Sequence, residues 1–202
     1  MTGTCNPGDG NVSYTFSSPS GGTNVTGSVA CSAGSWTTGS ISMTTLNENA
    51  AITFDADQTD SNGNTGSATQ LTALKDVVLP VVAINAVSTI NNANEASYTV
   101  TGTCTNGDGN VSYVFSSPSG GTDKTGSVAC SAGSWTTGSI SMASLNDDVA
   151  ITFNADQSDS AANTGSATEL SAIKDSADPV VAINAVSTIN SANKILLLRF
   201  II

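Results

Sequence analysis

The chain has 202 residues, with 16 acidic and 5 basic side chains, no histidine and a net charge of −11. That balance excludes nucleic acid and anionic membrane surfaces as partners, because both are held through clusters of Lys and Arg. The missing histidine also removes the commonest general base and transition-metal ligand.

In chain order, the first element is also the first sign of a repeat. Thr2-Gly-Thr-Cys5 returns at residues 101–104, Trp36 as Trp135, Phe54 as Phe153 and Pro80 as Pro179, each 99 positions on (104 − 5 = 99), without insertion through Asn193. So constant a period marks an array of modules that each fold as one unit. Residues 1–4 fall in register with 100–103. The expected units are therefore a first copy at 1–78 lacking its first strand, a complete copy at 79–177, and the first strand of a further copy plus a divergent apolar tail at 178–202. No basic region followed by an apolar stretch comes after Met1, so no secretory leader is expected there.

Ser, Thr, Asn, Gly, Ala and Val dominate, and neither copy carries a capped helical stripe, so the expected class is all-β. In the complete copy, residues 80–87 (Pro-Val-Val-Ala-Ile-Asn-Ala-Val) are β-branched with a proline at the entry, which suits an edge strand. Residues 97–104 alternate, with Tyr98, Val100, Gly102 and Cys104 on one face. Turn chemistry fills 105–110, where Asp108, like Asp9 in the first copy, reads as a turn residue. Val111, Tyr113 and Phe115 alternate with Ser112, Val114 and Ser116. Further strands are expected at about 124–130, 134–142, 149–156 and 166–174.

Seven short strands in 99 residues predict tandem immunoglobulin-like β-sandwiches. The structural alternative, a β-solenoid, would repeat over a far shorter period. Trp135, Ile140, Met142, Leu145, Ile151, Phe153, Leu170 and Ile173 are expected to supply most of the core, a thin one with aromatics at 5%.

Cys5 and Cys31, and Cys104 and Cys130, form one pair per copy at the same spacing. Zinc would want Cys-x-x-Cys spacing or histidine within a module. A disulfide in each copy is the better reading and implies an oxidising compartment; the alternative is two buried thiols per copy.

The densest oxygen-ligand cluster runs Asp55-Ala-Asp57-Gln-Thr-Asp60-Ser-Asn62-Gly-Asn64, expected on a loop between the last two strands. Hard cations take six to eight oxygens, so alternating Asp and Asn suits Ca²⁺, although the closing Glu and helices of an EF-hand are absent. The copies share Asp57 and Asp156, Asp60 and Asp159, and Asn64 and Asn163; the junction acids Asp76 and Asp175 would complete the sites, with Asp178 extra at the second junction. The competing reading is a solvated turn in which Asp and Asn bond their own backbone.

Several of these segments carry a resemblance. Residues 80–91, the Tyr-Thr-Val-Thr-Gly-Thr-Cys run at 98–104, Asp-x-x-Asp-Ser-x-x-Asn-Thr-Gly-Ser-Ala-Thr at 57–69, and Lys-Asp before the next Pro-Val resemble the bacterial Ig-like repeats of very large surface adhesins. The resemblance implies a long array that projects a distal binding domain, with calcium at acidic loops or junctions stiffening it.

Catalysis finds little support, since the serines lack a histidine to activate them. A Lys–Asn isopeptide staple is disfavoured because the disulfide already cross-links each copy. Asn11, Asn24 and Asn110 fit the N-glycosylation pattern, which is frequent by chance in so Ser- and Thr-rich a chain. The leading expectation is a non-enzymatic stalk or spacer of an extracellular or cell-surface adhesin, with neighbouring repeats or copies of itself as partners. A binding module or enzyme accessory domain is a third reading. The alternative to the stalk is a subunit of an extracellular filament, surface layer or virion appendage: residues 179–193 would be a spare opening strand, and one copy could complete another by strand addition. The apolar tail at 195–202 is too short to span a bilayer.

Overall fold

A computed structural model describes residues 1–186 with Thr188, Asn190 and Ser191; the apolar tail at 195–202 lies outside the described residues. The first copy runs β1 (Thr2–Thr4), β2 (Val12–Ser17), β3 (Val25–Val29), β4 (Ser35–Thr37), β5 (Asn49–Thr59), β6 (Thr65–Ser67) and β7 (Leu71–Lys75). The second adds two strands in front, β8 (Ala83–Ile84) and β9 (Ile90–Asn91). It then repeats the first as β10 (Thr101–Thr103), β11 (Val111–Ser116), β12 (Lys124–Val128), β13 (Ser134–Thr136), β14 (Asp148–Ser158), β15 (Thr164–Ser166) and β16 (Leu170–Asp175).

Each copy is two packed sheets. In the second, β10 lies between β13 and β8, and faces a sheet ordered β12-β11-β14-β16-β9 with β15 also on β14. In the first, β1 pairs with β4 alone, and β3-β2-β5 carries β6 and β7. The all-β expectation holds.

Strand limits depart from expectation where the backbone changes job. Of 80–87 only Ala83–Ile84 joins a ladder. The expected strand at 134–142 stops at Thr136, because Gly138 takes φ 63°, and the chain touches a sheet again only at the bridge between Tyr98 and Ile140. The expected strand at 166–174 is two. Asp156 faces Ser166 and Phe153 faces Leu170, so two residues of β14 oppose three, and the bulge separates β15 from β16. Residues 55 and 57 lie inside β5, not on a loop. Neither the parallel pairing of β9 with β16 nor the 3₁₀ turn at Glu95–Ser97 was expected.

The core of the second copy is continuous, joining Val82, Ile90, Tyr98, Val100, Val111, Phe115, Trp135, Met142, Leu145, Ile151 and Phe153. Ile140 and Leu170 pack against it only partly buried. Ile173, expected inside, is exposed, because one face of a strand repeats every second residue: Leu170, Ala172 and Lys174 point inward. Lys174 is buried with its ammonium 2.7 Å from Asp147 and 3.2 Å from Glu95.

Both disulfides form, Cys5 with Cys31 and Cys104 with Cys130, at Cα separations of 5.9 and 6.0 Å. Each follows the end of β1 or β10 and the end of β3 or β12, so it ties one sheet to the other. In the chain-entropy account such a loop is worth about 3.5 kcal/mol.

Candidate functional site: the opening-strand groove

The two copies differ most where β8 and β9 would lie. In the second, β8 runs antiparallel to β10, with Ile84 opposite Gly102 and Ala83 opposite Thr103. The Asn85 amide N–H donates to the Thr101 carbonyl at 2.9 Å and its side chain to Thr101 Oγ1 at 3.0 Å. The Val81 N–H donates to Thr105 Oγ1 at 2.7 Å, and the Trp135 indole to the Ala83 carbonyl at 3.1 Å.

Glycine makes this approach possible. A Cβ on Gly102 would stand 1.9 Å from the Ala83 carbonyl oxygen, and one on Gly165 would stand 1.8 Å from that of Pro80.

Among the described residues the first copy has no counterpart of β8 or β9, and its core divides in two. Val12, Trp36 and Ala56 form one cluster and Phe16, Leu46 and Ile52 another. A groove of about 550 Å³ opens over the first cluster, lined by Thr4, Cys5, Val12, Trp36, Gln58 and Gly66 among others. Trp36, whose equivalent reaches the opening strand, turns its indole N–H to the Thr4 carbonyl at 3.1 Å. A Cβ on Gly66 would meet nothing within 4 Å. A smaller apolar cleft of about 310 Å³, lined by Met43, Leu46, Ile52, Phe54 and Leu74 among others, lies at the other end.

The acidic candidates border this groove without forming one centre. Asp57, Asp60 and Asn64 all line it. Asp60 Oδ1 accepts the N–H groups of Asn62 and Asn64, and Asp60 Oδ2 accepts Asn64 Nδ2, each at 2.9 Å. The Asn64 side-chain bond, with the backbone bonds, lowers the Asp60 pKa. Asp159 repeats the turn with Asn163, whose amide likewise lowers its pKa. Asp156 sits in β14 between the core-facing Ala155 and Gln157, so alternation turns it to the opposite face.

At the junction, Asn163 Nδ2 donates to the main-chain carbonyl of Asp76 at 3.1 Å, bringing the first copy's exit onto the second copy's hairpin. Asp76 and Asp175 otherwise accept the N–H two residues on, from Val78 and Ala177, and Asp178 accepts both its bonds from Asn92. Among the described residues no three His, Cys, Asp or Glu side chains stand close enough to hold a metal. Asn163 turns its amide nitrogen to both the Asp159 carboxylate and the Asp76 carbonyl, so calcium would have to displace these bonds, and water would have to supply much of its six to eight oxygens.

Sequence reasoning missed Gln157. It is wholly buried; its Oε1 accepts Thr105 N–H and its Nε2 donates to the carbonyls of Thr105 and Gly109. Gln58 repeats these bonds with Asn6 and Gly10. Recurrence in both copies was its only signal, shared with many surface residues.

No known family model matches this sequence. No curated protein matches it either. A solved tetra-tandem repeat from the extending region of a large adhesion protein is 22% identical at a TM-score of 0.39, covering 85% of this chain and 44% of that one. A solved structure from a 1.5-MDa bacterial ice-binding adhesin is 22% identical at a TM-score of 0.42, covering 87% of this chain and 57% of that one. The chain thus spans about half the length of each, and its function is argued from its own residues.

Proposed function

We propose that this chain is a non-enzymatic spacer of an extracellular or cell-surface adhesin, extending a distal binding domain by stacking repeated modules. The observation that carries the reading is the junction. The exit of one copy, at Asp76, is hydrogen-bonded by the hairpin of the next, at Asn163, and four residues later Pro80 packs its carbonyl over Gly165. The same segment continues into β8 and β9 of the second core, so one stretch both ends a module and begins its neighbour. The resemblance to adhesin Ig-like repeats points the same way. Disulfides belong to an oxidising exterior, and no described helix is long and apolar enough to cross a membrane.

Small-angle scattering of the dilute monomer tests this. The longest strand, of 11 residues, spans about 37 Å, so two modules end to end give a maximum dimension of at least about 75 Å; a compact, folded-back particle would sink the spacer reading. Calcium enters as part of the same proposal, on the Asp159 carboxylate, Asn163 and the Asp76 carbonyl. Titration calorimetry with CaCl₂ checks it. Absence of binding heat, with melting unchanged by chelator, removes the cation and leaves the spacer.

A further inference from the structure

Four places in the chain set Asn or Asp directly before Gly: Asp9-Gly10, Asn62-Gly63, Asn106-Gly107 and Asp108-Gly109. Glycine has no Cβ to shield its nitrogen, so in each the main-chain nitrogen can reach the preceding side-chain carbonyl carbon and close a cyclic imide. The fold engages that nitrogen at three of the four. Gly10 N–H donates to the Thr59 carbonyl at 3.1 Å, Gly109 N–H to that of Ser158 at 3.0 Å and Gly63 N–H to that of Asp60 at 3.1 Å. Among the described residues Gly107 N–H has no such partner, and neither has the Asn106 side-chain amide. Both residues are exposed, and a Cβ on Gly107 would meet nothing within 4 Å.

We propose that the fold leaves Asn106 as a self-modifying site, which converts without an enzyme to aspartate and isoaspartate on the turn at 105–110. The deprotonated Gly107 nitrogen attacks Cγ of Asn106. The N–Cγ bond forms, the Cγ–Nδ2 bond breaks, and the amide nitrogen takes up a proton and leaves as ammonia. Water then opens the imide. Opening at Cγ gives aspartate, whereas opening at the main-chain carbonyl of Asn106 gives isoaspartate, whose main chain runs through Cβ and Cγ. One water is consumed and one ammonia released, with no change of oxidation state, and either product carries one new negative charge.

The repeat makes the site singular. Pro7 stands where the second copy has Asn106, and Ala161-Ala162 where the first has Asn62-Gly63. Asn62 is held in a second way, because its N–H and that of Asn64 both donate to Asp60 Oδ1 at 2.9 Å and close the hairpin around it. Conversion at Asn106 falls where the opening strand of its module is tied. Gln157 spans the turn from Thr105 to Gly109, and Thr105 Oγ1 accepts the Val81 N–H at 2.7 Å. Isoaspartate inserts one more main-chain carbon between those anchors.

Peptide mapping by mass spectrometry, on the whole oxidised chain incubated in mildly alkaline buffer, tests this. Asn106 should convert at least about tenfold faster than Asn62, the factor that one hydrogen bond of ordinary net strength supplies, and faster still as pH rises. The same chain reduced and unfolded in urea is the comparison, and there the two Asn-Gly pairs should convert at like rates. Asp60→Ala, which removes the side-chain bonds closing the other hairpin, should raise conversion at Asn62 and leave Asn106 as it was. Three results would overturn the proposal: Asn62 keeping pace with Asn106 in the folded chain, Asn106 staying intact there after the unfolded chain has converted, or an equal preference for Asn106 in urea, since local sequence would then set it. An unmoved Asn62 in Asp60→Ala would count against it in the same way. None of these results bears on the spacer reading, which is judged on the dimensions of the monomer.

Discussion

Gln157 shows how one amide fixes a turn of several residues. It satisfies one N–H and two carbonyls of the 105–110 turn from a site with no access to water, and stranding buried polar groups costs about 1–3 kcal/mol each. Gln157→Ala is therefore expected to destabilise the second copy by about 2–4 kcal/mol in urea unfolding. Gln58→Ala should cost less, because Gln58 is only half-buried beside the open groove. At Lys174, burial works against the charge, but the hydrogen bonds its ammonium donates to Asp147 and Glu95 outweigh it and raise the pKa. The Lys174 bond, followed by that of Ser176 N–H, lowers the pKa of Asp147.

The two shifts set opposite edges of one pH window. The Asp147 contribution is present above its ordinary carboxylate value of 3.8 and is lost as pH falls through its lower folded value. The Lys174 contribution is complete below 10.5 and is lost as pH rises through its higher folded value. Asp147→Asn should lower the melting temperature by a constant amount from about pH 5 to about pH 9, with the gap closing in stronger acid. A gap that persists below the Asp147 titration would show that the side chain acts through packing.

At the scale of elements, the opening segment decides how firm a module is. Val82, Ile84, Ile90 and Tyr98 join what is otherwise a divided core, and full burial of such side chains contributes roughly 1.5–3 kcal/mol each. The second copy should therefore outlast the first in hydrogen exchange, with β11 and β14 protected well beyond β2 and β5. A synthetic peptide with the sequence of residues 80–91 should close that gap from the first copy's side. Equal protection of the two copies without peptide would refute the completing role.

This role was partly legible. Pro80 and the β-branched run after it marked a strand. Its short ladder and its continuation into a parallel pair with β16 were not legible, because a Val-rich run reads alike wherever its backbone bonds go.

For the whole molecule, a spacer must bear tension, and the disulfides limit how far it yields. The paired cysteines stand 26 positions apart in each copy, and this length stays closed while the bond is intact. Pulling the chain between its ends by force spectroscopy should lengthen each unfolding event by about 90 Å once the disulfide is reduced, at about 3.5 Å per residue. Unchanged step lengths after reduction would mean that the bonds lie outside the force path.

The sequence by itself determined the repeat, its phase, the all-β class and the cysteine pairing, because these depend on periodicity, turn residues and spacing along one dimension. Tertiary structure alone decided that Lys174 faces inward and Ile173 outward, a matter of strand phase against the opposite sheet. It also decided that Asp60 and Asp159 close their own turns, and that Asn163 reaches across to Asp76 from 87 positions away. A list of oxygen-bearing residues does not say which way each oxygen points, whereas the bulge, the hairpin and the opening strand do.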